Sequence, residues 1–146
     1  MPIPDASVTL RRTIAAPPAR VYRAWTDPNE LMKWFGPRTH GLVSSEVDLR
    51  VGGRYRFGIQ KPPDGQINYV TGEYRELAPN ARLVFTWTWE HMADVRDTLV
   101  TVDLREAPKG TELRLTHELL PNQEAMDSHT TGWTGTLDRL AEMFNA

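Results

Sequence analysis

At 146 residues the chain has the length of one ordinary domain, expected to span 1–146, and a domain of that size buries about 70% of the surface its unfolded chain exposes. It contains no cysteine, which excludes disulfides, thiolate zinc sites and cysteine nucleophiles. Seventeen basic residues face nineteen acidic ones, for a net charge of −2; this is not the footprint of a nucleic-acid binder, and it argues against stable association with an anionic membrane.

The opening residues, MPIPDASVTL, carry no basic stretch followed by an apolar run, and no apolar run approaches the ~20 residues of a membrane span, so a cytoplasmic location is expected. Ser7 to Ala15 reads as a strand with Val8, Leu10, Arg12 and Ile14 on one face. Pro17 and Pro18 stop it and open a helix carrying Val21, Tyr22 and Trp25. Asp27 is the expected N-cap of a second short helix, with Pro28 at its first position and Glu30 completing a pair of the capping-box type. That helix carries Leu31, Trp34 and Phe35 and ends at Gly36-Pro37.

A meander of strands follows. Val43 to Leu49 leads into the Gly52-Gly53 turn, and Gly53 to Ile59 places Tyr55, Phe57 and Ile59 on one face. The run Lys61-Pro62-Pro63-Asp64-Gly65 reads as a loop, Asn68 to Leu77 as the next strand, and Arg82 to Trp89 as a strand with Leu83, Phe85, Trp87 and Trp89 on one face. After a loop over Glu90 to Arg96 come strands at Thr98 to Arg105 and Thr111 to Leu119, joined through Pro108-Lys109-Gly110. Asn122 to Phe144 is expected to be one helix, capped by Asn122, with a narrow apolar stripe of Met126, Trp133, Leu137, Leu140 and Phe144 and with His129 at its edge. Seven strands and three helices in this order suit an α+β fold, in which a curved antiparallel sheet receives the long helix.

Several of these segments together resemble a known family. The stretch 16–37 (APPARVYRAWTDPNELMKWFGP), Asp48-Leu49-Arg50-Val51-Gly52-Gly53-Arg54-Tyr55, Arg82 to Trp87, Leu115-Thr116-His117-Glu118 and Gly132 to Leu140 are similar, in order, to activator-of-heat-shock-protein-90-ATPase-like domains of the START-like (SRPBCC) superfamily. The resemblance implies the helix-grip fold: a seven-stranded antiparallel sheet curved around a long C-terminal helix, with two short helices between strands 1 and 2 and a cavity between sheet and helix. Lipid-transfer domains, plant pathogenesis-related allergens and aromatic polyketide cyclases share that fold and that cavity but no single reaction. The chaperone activator that names the branch has an additional N-terminal domain; the length here matches the stand-alone bacterial members.

Candidate chemistry is sparse. His117 shares a strand face with Leu113 and Leu115, and His129 lies on the helix that covers the sheet; each reads either as a core histidine or as a polar group aimed at a ligand. A metal site would need a third ligand, and none is in step with the two histidines, so no metal and no cofactor are expected. His40 and His91 are expected to meet solvent, and Arg50, Arg54 and Arg56 to form a solvated face. Arg12 is read as half of a structural ion pair or as a clamp for an acidic ligand group. No nucleophile-elbow or phosphate-loop spacing occurs, although His117 or Glu73 remains open as a general acid or base. The expected ligand cavity is lined by Trp34, Phe57, Trp87, Leu115, His117, His129 and Trp133. The expected partner is a small hydrophobic or aromatic molecule. A cyclase-like or hydrolase-like enzyme, a chaperone-interacting module and a homodimer stay open as alternatives.

Overall fold

The computed structural model describes residues 7–61, 65–92 and 94–144, so Pro62-Pro63-Asp64 of the expected loop lies outside the described residues. The elements run β1 (Val8–Ile14), α1 (Pro18–Thr26), α2 (Pro28–Trp34), β2 (Gly41–Val47), β3 (Arg54–Gln60), β4 (Ile67–Ala78), β5 (Arg82–Trp89), β6 (Thr98–Ala107), β7 (Gly110–Glu118) and α3 (Gln123–Phe144). The seven strands form one sheet in the order β1-β7-β6-β5-β4-β3-β2, every neighbouring pair antiparallel. Five hairpin-type connections carry the chain from β2 to β7. The crossover through α1 and α2 is what takes it from one edge strand, β1, to the other, β2.

Local chemistry sets these boundaries. Pro18 opens α1, where its missing N–H costs nothing, and Asp27 caps α2 by accepting from the Asn29 amide at 2.8 Å. The capping box is only half realised. The Asp27 amide donates to the Arg23 carbonyl, and Glu30, 4% exposed, is instead held by Arg20 (2.6 Å) and Lys33 (2.9 Å). The Lys33 hydrogen bond, helped by the Arg20 charge, keeps the Glu30 carboxyl below its ordinary pKa. β2 begins and ends two residues before its sequence expectation because Asp48 to Gly53 is consumed by the turn: the Asp48 amide reaches the Arg54 carbonyl and the Gly53 amide the Arg50 carbonyl.

The core is one cluster between the concave sheet face and the helices, rich in rings: Trp25, Trp34, Phe35, Tyr55, Phe57, Tyr74, Phe85, Trp87 and Trp133 all belong to it. α3 enters it with Ala125, His129, Trp133, Thr136, Leu137 and Leu140; Met126 and Phe144, expected on the stripe, are only partly buried. Arg12 resolves as the structural pair, its Nε 3.0 Å from Asp138 on α3, which ties the helix to edge strand β1. Arg50 and Arg56 stay on the surface, paired with Asp48 and Glu90.

One glycine is required by close packing. The Tyr55 ring crosses over Gly72 to donate its hydroxyl to the Thr86 carbonyl, while the Thr86 hydroxyl accepts from the Glu73 amide at 2.8 Å. Two side-chain bonds thus replace the backbone ladder where β4 passes β5. A Cβ on Gly72 would sit 1.9 Å from the Thr86 carbonyl oxygen and 2.6 Å from the Tyr55 ring. Gly72→Ala is therefore expected to destabilise by about 1–3 kcal/mol or more, read as a lower urea midpoint; an unchanged midpoint would contradict this packing.

Candidate functional site

A half-open cleft of about 230 Å³ lies where the C-terminal helix leaves part of the concave face uncovered. α3 supplies one wall through His129, Gly132, Trp133 and Thr136, residues at i, i+3, i+4 and i+7 on one helical face. The opposite wall is Trp87 and Trp89, two apart on β5 and so on the same side of the sheet, with Ile59 of β3 and Asn68 of β4 beside them. The segment Phe35 to His40 closes one side, and His91 and Met92 stand at the rim. No Asp, Glu, Lys or Arg lines this space among the described residues.

The segment from Phe35 to His40 is held by α3. Arg139 Nη1 donates to the carbonyls of Gly36 and His40, both at 3.1 Å, and Arg38 pairs with Glu142. Gly135 makes this approach possible: a Cβ there would lie 3.1 Å from the Arg38 amide nitrogen and from its Cγ. Gly132 differs, because a Cβ added to it meets nothing within 4 Å.

The two histidines sit behind and beside the cleft, ring centroids 4.9 Å apart and nearly perpendicular. Their tautomers follow from the hydrogen bonds. Thr98 has one hydroxyl proton, given to the Trp87 carbonyl at 2.7 Å, so the 2.8 Å contact between Thr98 Oγ1 and His117 Nε2 needs an N–H on His117 Nε2. His117 Nδ1 is then the acceptor for the Trp133 indole N–H at 3.0 Å. In His129 the assignment is reversed. Nδ1–H donates to the Ala125 carbonyl at 2.7 Å, and Nε2 accepts from the Trp89 indole at 3.0 Å. Both rings are neutral and both have each nitrogen paired. Burial pushes the His117 pKa well down, with His129 adding to the effect, and burial lowers His129 against a partial opposing pull from the Ala125 carbonyl.

Of the seven residues expected to line a cavity, Trp87, His129 and Trp133 meet at the cleft. His117 lies behind it, fully buried and tied to Trp133. Leu115 is fully buried in the sheet core. Trp34 does not line the cleft: it is 1% exposed, packs edge-on against Trp25 at 4.8 Å and donates its indole N–H to the Ala24 carbonyl. Phe57 belongs to a closed region whose remaining gap is about 10 Å³. The reason is steric. Phe35 packs against Phe57 at 5.1 Å and against Trp133 at 5.9 Å, so the aromatic rings of the short helices fill that end of the concave face. Glu73 is not in the cleft either; it sits on the outer face beside Arg75. His40 and His91, expected simply to meet solvent, border the cleft, and His91 packs against Trp89 at 5.2 Å.

Sequence reasoning missed Phe35, Trp89 and Arg139. Trp89 had a usable signal, since strand alternation places it with Trp87. Arg139 had none, because its partners are carbonyls about a hundred residues away. Among the described residues, no group of three His, Asp or Glu side chains is placed to hold a metal ion, and no helix is long and apolar enough to cross a membrane.

Comparison with known proteins places this architecture. A solved structure of a protein from Chromobacterium violaceum superposes with a TM-score of 0.84 at 31% identity, covering 97% of this chain and 99% of that one. The AHSA1 protein from Silicibacter pomeroyi gives 0.80 at 27% identity over 94% of this chain and 96% of that chain. Among curated proteins, the human Activator of 90 kDa heat shock protein ATPase homolog 1 is 27% identical over 131 residues, which is 90% of this chain but 34% of the human protein. The chain therefore spans about a third of the length of the curated relatives it matches. The family model described as Activator of Hsp90 ATPase homolog 1-like protein matches residues 15–145, and the chain belongs to that family.

Proposed function

We propose that this chain binds a small, uncharged, hydrophobic or aromatic molecule in the cleft between α3 and β5. The observation that carries this reading is the lining itself: a space walled by Trp87, Trp89, Trp133 and Phe35, with polar groups at a few points and no Asp, Glu, Lys or Arg side chain among the described residues. Burying a charge there without a partner would cost far more than the contacts return, so the part of the ligand that enters is neutral. Acid–base catalysis by His117 or His129 is not favoured, because both nitrogens of each ring are already engaged.

The test is a tryptophan-emission and thermal-shift screen over one- and two-ring aromatics, flavonoids, sterols and fatty acids. A ligand at a hundred times its Kd is expected to stabilise the fold by about 2.7 kcal/mol. Gly132→Leu is the control: open space surrounds the position, so the variant should stay folded while its side chain plugs the cleft and abolishes the response. No response from any compound, or an equal response from the plugged variant, would end the reading.

A second reading has one observation behind it: the matching curated proteins are named as activators of a heat-shock-protein ATPase. It calls for an exposed apolar surface. Leu49 and Val51, 46% and 62% exposed at the β2–β3 turn, are the nearest approach to one. Loss of chaperone capture on Leu49→Ser with Val51→Ser would support it; absence of any chaperone capture by the wild-type chain would dismiss it.

A further inference from the structure

We infer that Asn68 and His91 form the polar end of the cleft, and that the ligand they select is a flat molecule of one or two rings carrying a neutral ring hydroxyl, a phenol or a naphthol by class. This rests on the binding reading above and adds the chemical class of the ligand.

Strand register brings the two side chains together. β4 pairs with β5 so that Val70 stands opposite Trp89, and the Glu90 amide continues the ladder to the Tyr69 carbonyl at 2.9 Å. Two residues beyond the Val70–Trp89 pair, Asn68 therefore faces His91 across the end of the ladder, on the concave side of the sheet. Both residues line the cleft. Asn68 is half-buried and His91 is exposed, with its ring set edge-on against the Trp89 wall at 5.2 Å.

The other polar side chains on the cleft walls are engaged, sealed or elsewhere. The Trp89 and Trp133 indoles go to His129 and His117, and His129 Nδ1 goes to the Ala125 carbonyl. The Ser128 and Thr136 hydroxyls donate to the Ala125 and Gly132 carbonyls. The Trp87 indole nitrogen lacks a partner but is fully buried in the wall, out of reach of anything in the cleft. His40 has Nδ1 against the Thr39 hydroxyl at 2.7 Å, which leaves Nε2 open. It precedes β2, however, two strands from Asn68 through the Gly41–Gln60 and Ile59–Asn68 pairings, so it serves as the control position. Hydrogen bonds to histidine rings go to His40, His117 and His129. Among the described residues none engages His91 or the Asn68 carboxamide.

This pair narrows the ligand class. A carboxamide and a neutral imidazole each offer both a donor and an acceptor. A ring hydroxyl gives one proton and accepts another, so it suits both partners whichever way the amide is turned. A ketone only accepts, and a carboxylate finds no Lys or Arg side chain on the cleft walls among the described residues. Since an apolar cavity of about 150 Å³ holds one benzene ring, the cleft of about 230 Å³ suits one or two rings, with the hydroxyl at the mouth.

The experiment titrates ¹⁵N-labelled protein at pH 7.5 with 2-naphthol and with 2-methylnaphthalene, which match in shape and differ in the hydroxyl. The indole N–H signals of Trp89 and Trp133 report occupancy of the cleft. Asn68→Ala and His91→Ala are each expected to weaken 2-naphthol about three- to tenfold, the worth of one net hydrogen bond, and to change 2-methylnaphthalene by less than about twofold. His40→Ala should leave the ratio of the two affinities unchanged. If 2-naphthol binds both variants as it binds the wild type, or if His40→Ala alone removes the preference, the assignment to Asn68 and His91 is wrong while the binding reading stands. If neither probe perturbs a cleft tryptophan in the wild type, both fall. Should Asn68→Ala fail to fold, His91→Ala, at an exposed position, decides alone.

Discussion

Between pH 6.5 and pH 5 the protein is expected to lose stability at up to about 2.7 kcal/mol per pH unit, from two histidines that fold as neutral rings. His117 Nδ1 and His129 Nε2 each face an indole N–H at 3.0 Å, so a proton added at either nitrogen meets another donor. Burial already holds both pKa values below the ordinary value for histidine, His117 well below it. In the unfolded chain both rings take up protons near pH 6.5. Below that pH the unfolded state binds more protons than the folded one, so stability falls with pH. The contribution is complete above pH 6.5 and is lost as pH drops towards the depressed folded-state values, each ring costing about 1.4 kcal/mol per unit. The carboxylates with lowered pKa, Glu30, Glu90 and Glu112, act in the same direction only at more acidic pH, around and below their ordinary 4.5. Urea midpoints at half-unit steps from pH 7.5 to 5 test this. His117→Asn keeps an acceptor near Nδ1 for Trp133 but cannot titrate, and should cut the slope by about half. A flat profile in the wild type, or an unaltered slope in the variant, would rule out the neutral-pair assignment.

Trp133→Ala is expected to cost about 3–5 kcal/mol. The side chain is 3% exposed and is the meeting point of three groups: Trp87 from the sheet at 5.0 Å, Phe35 from the end of α2 at 5.9 Å and Trp25 from α1 at 6.2 Å. Truncation removes that packing and also strips His117 Nδ1 of its donor, leaving a buried acceptor unpaired. For a chain of this size, each kcal/mol lowers Tm by about 2–4 °C, so a drop of about 6–20 °C is expected. Trp133→Phe separates the two contributions: it retains a ring and loses the N–H, and should cost about 1–3 kcal/mol. If the space left by Trp133→Ala joins the cleft, the variant should regain stability with naphthalene-sized ligands more than the wild type does. A loss below about 1 kcal/mol would show that α3 is not packed through this residue.

The sequence determined the fold class and the run of elements, because those rest on local signals. Alternation in Arg82 to Trp89, the Pro18 and Asp27 helix starts, the Gly52-Gly53 turn and the Asn122 cap each speak within a few residues. It missed by two residues at β2, where the turn from Asp48 to Gly53 competes with the strand for the same backbone groups. The site was legible only in part. Trp87, His129 and Trp133 meet because each lies on an inward face that periodicity reveals. Periodicity gives the direction of a side chain and not what fills the space in front of it. Only the tertiary structure decided that Phe35 and Trp34 close one end of the concave face, that His117 lies sealed behind Trp133, and that Glu73 turns outward. Likewise, Arg139 and Gly135 hold the Phe35–His40 wall through contacts about a hundred residues apart in the chain. Cavity shape is a small difference between the volume the sheet encloses and the volume of the rings packed into it, and no local pattern carries that difference.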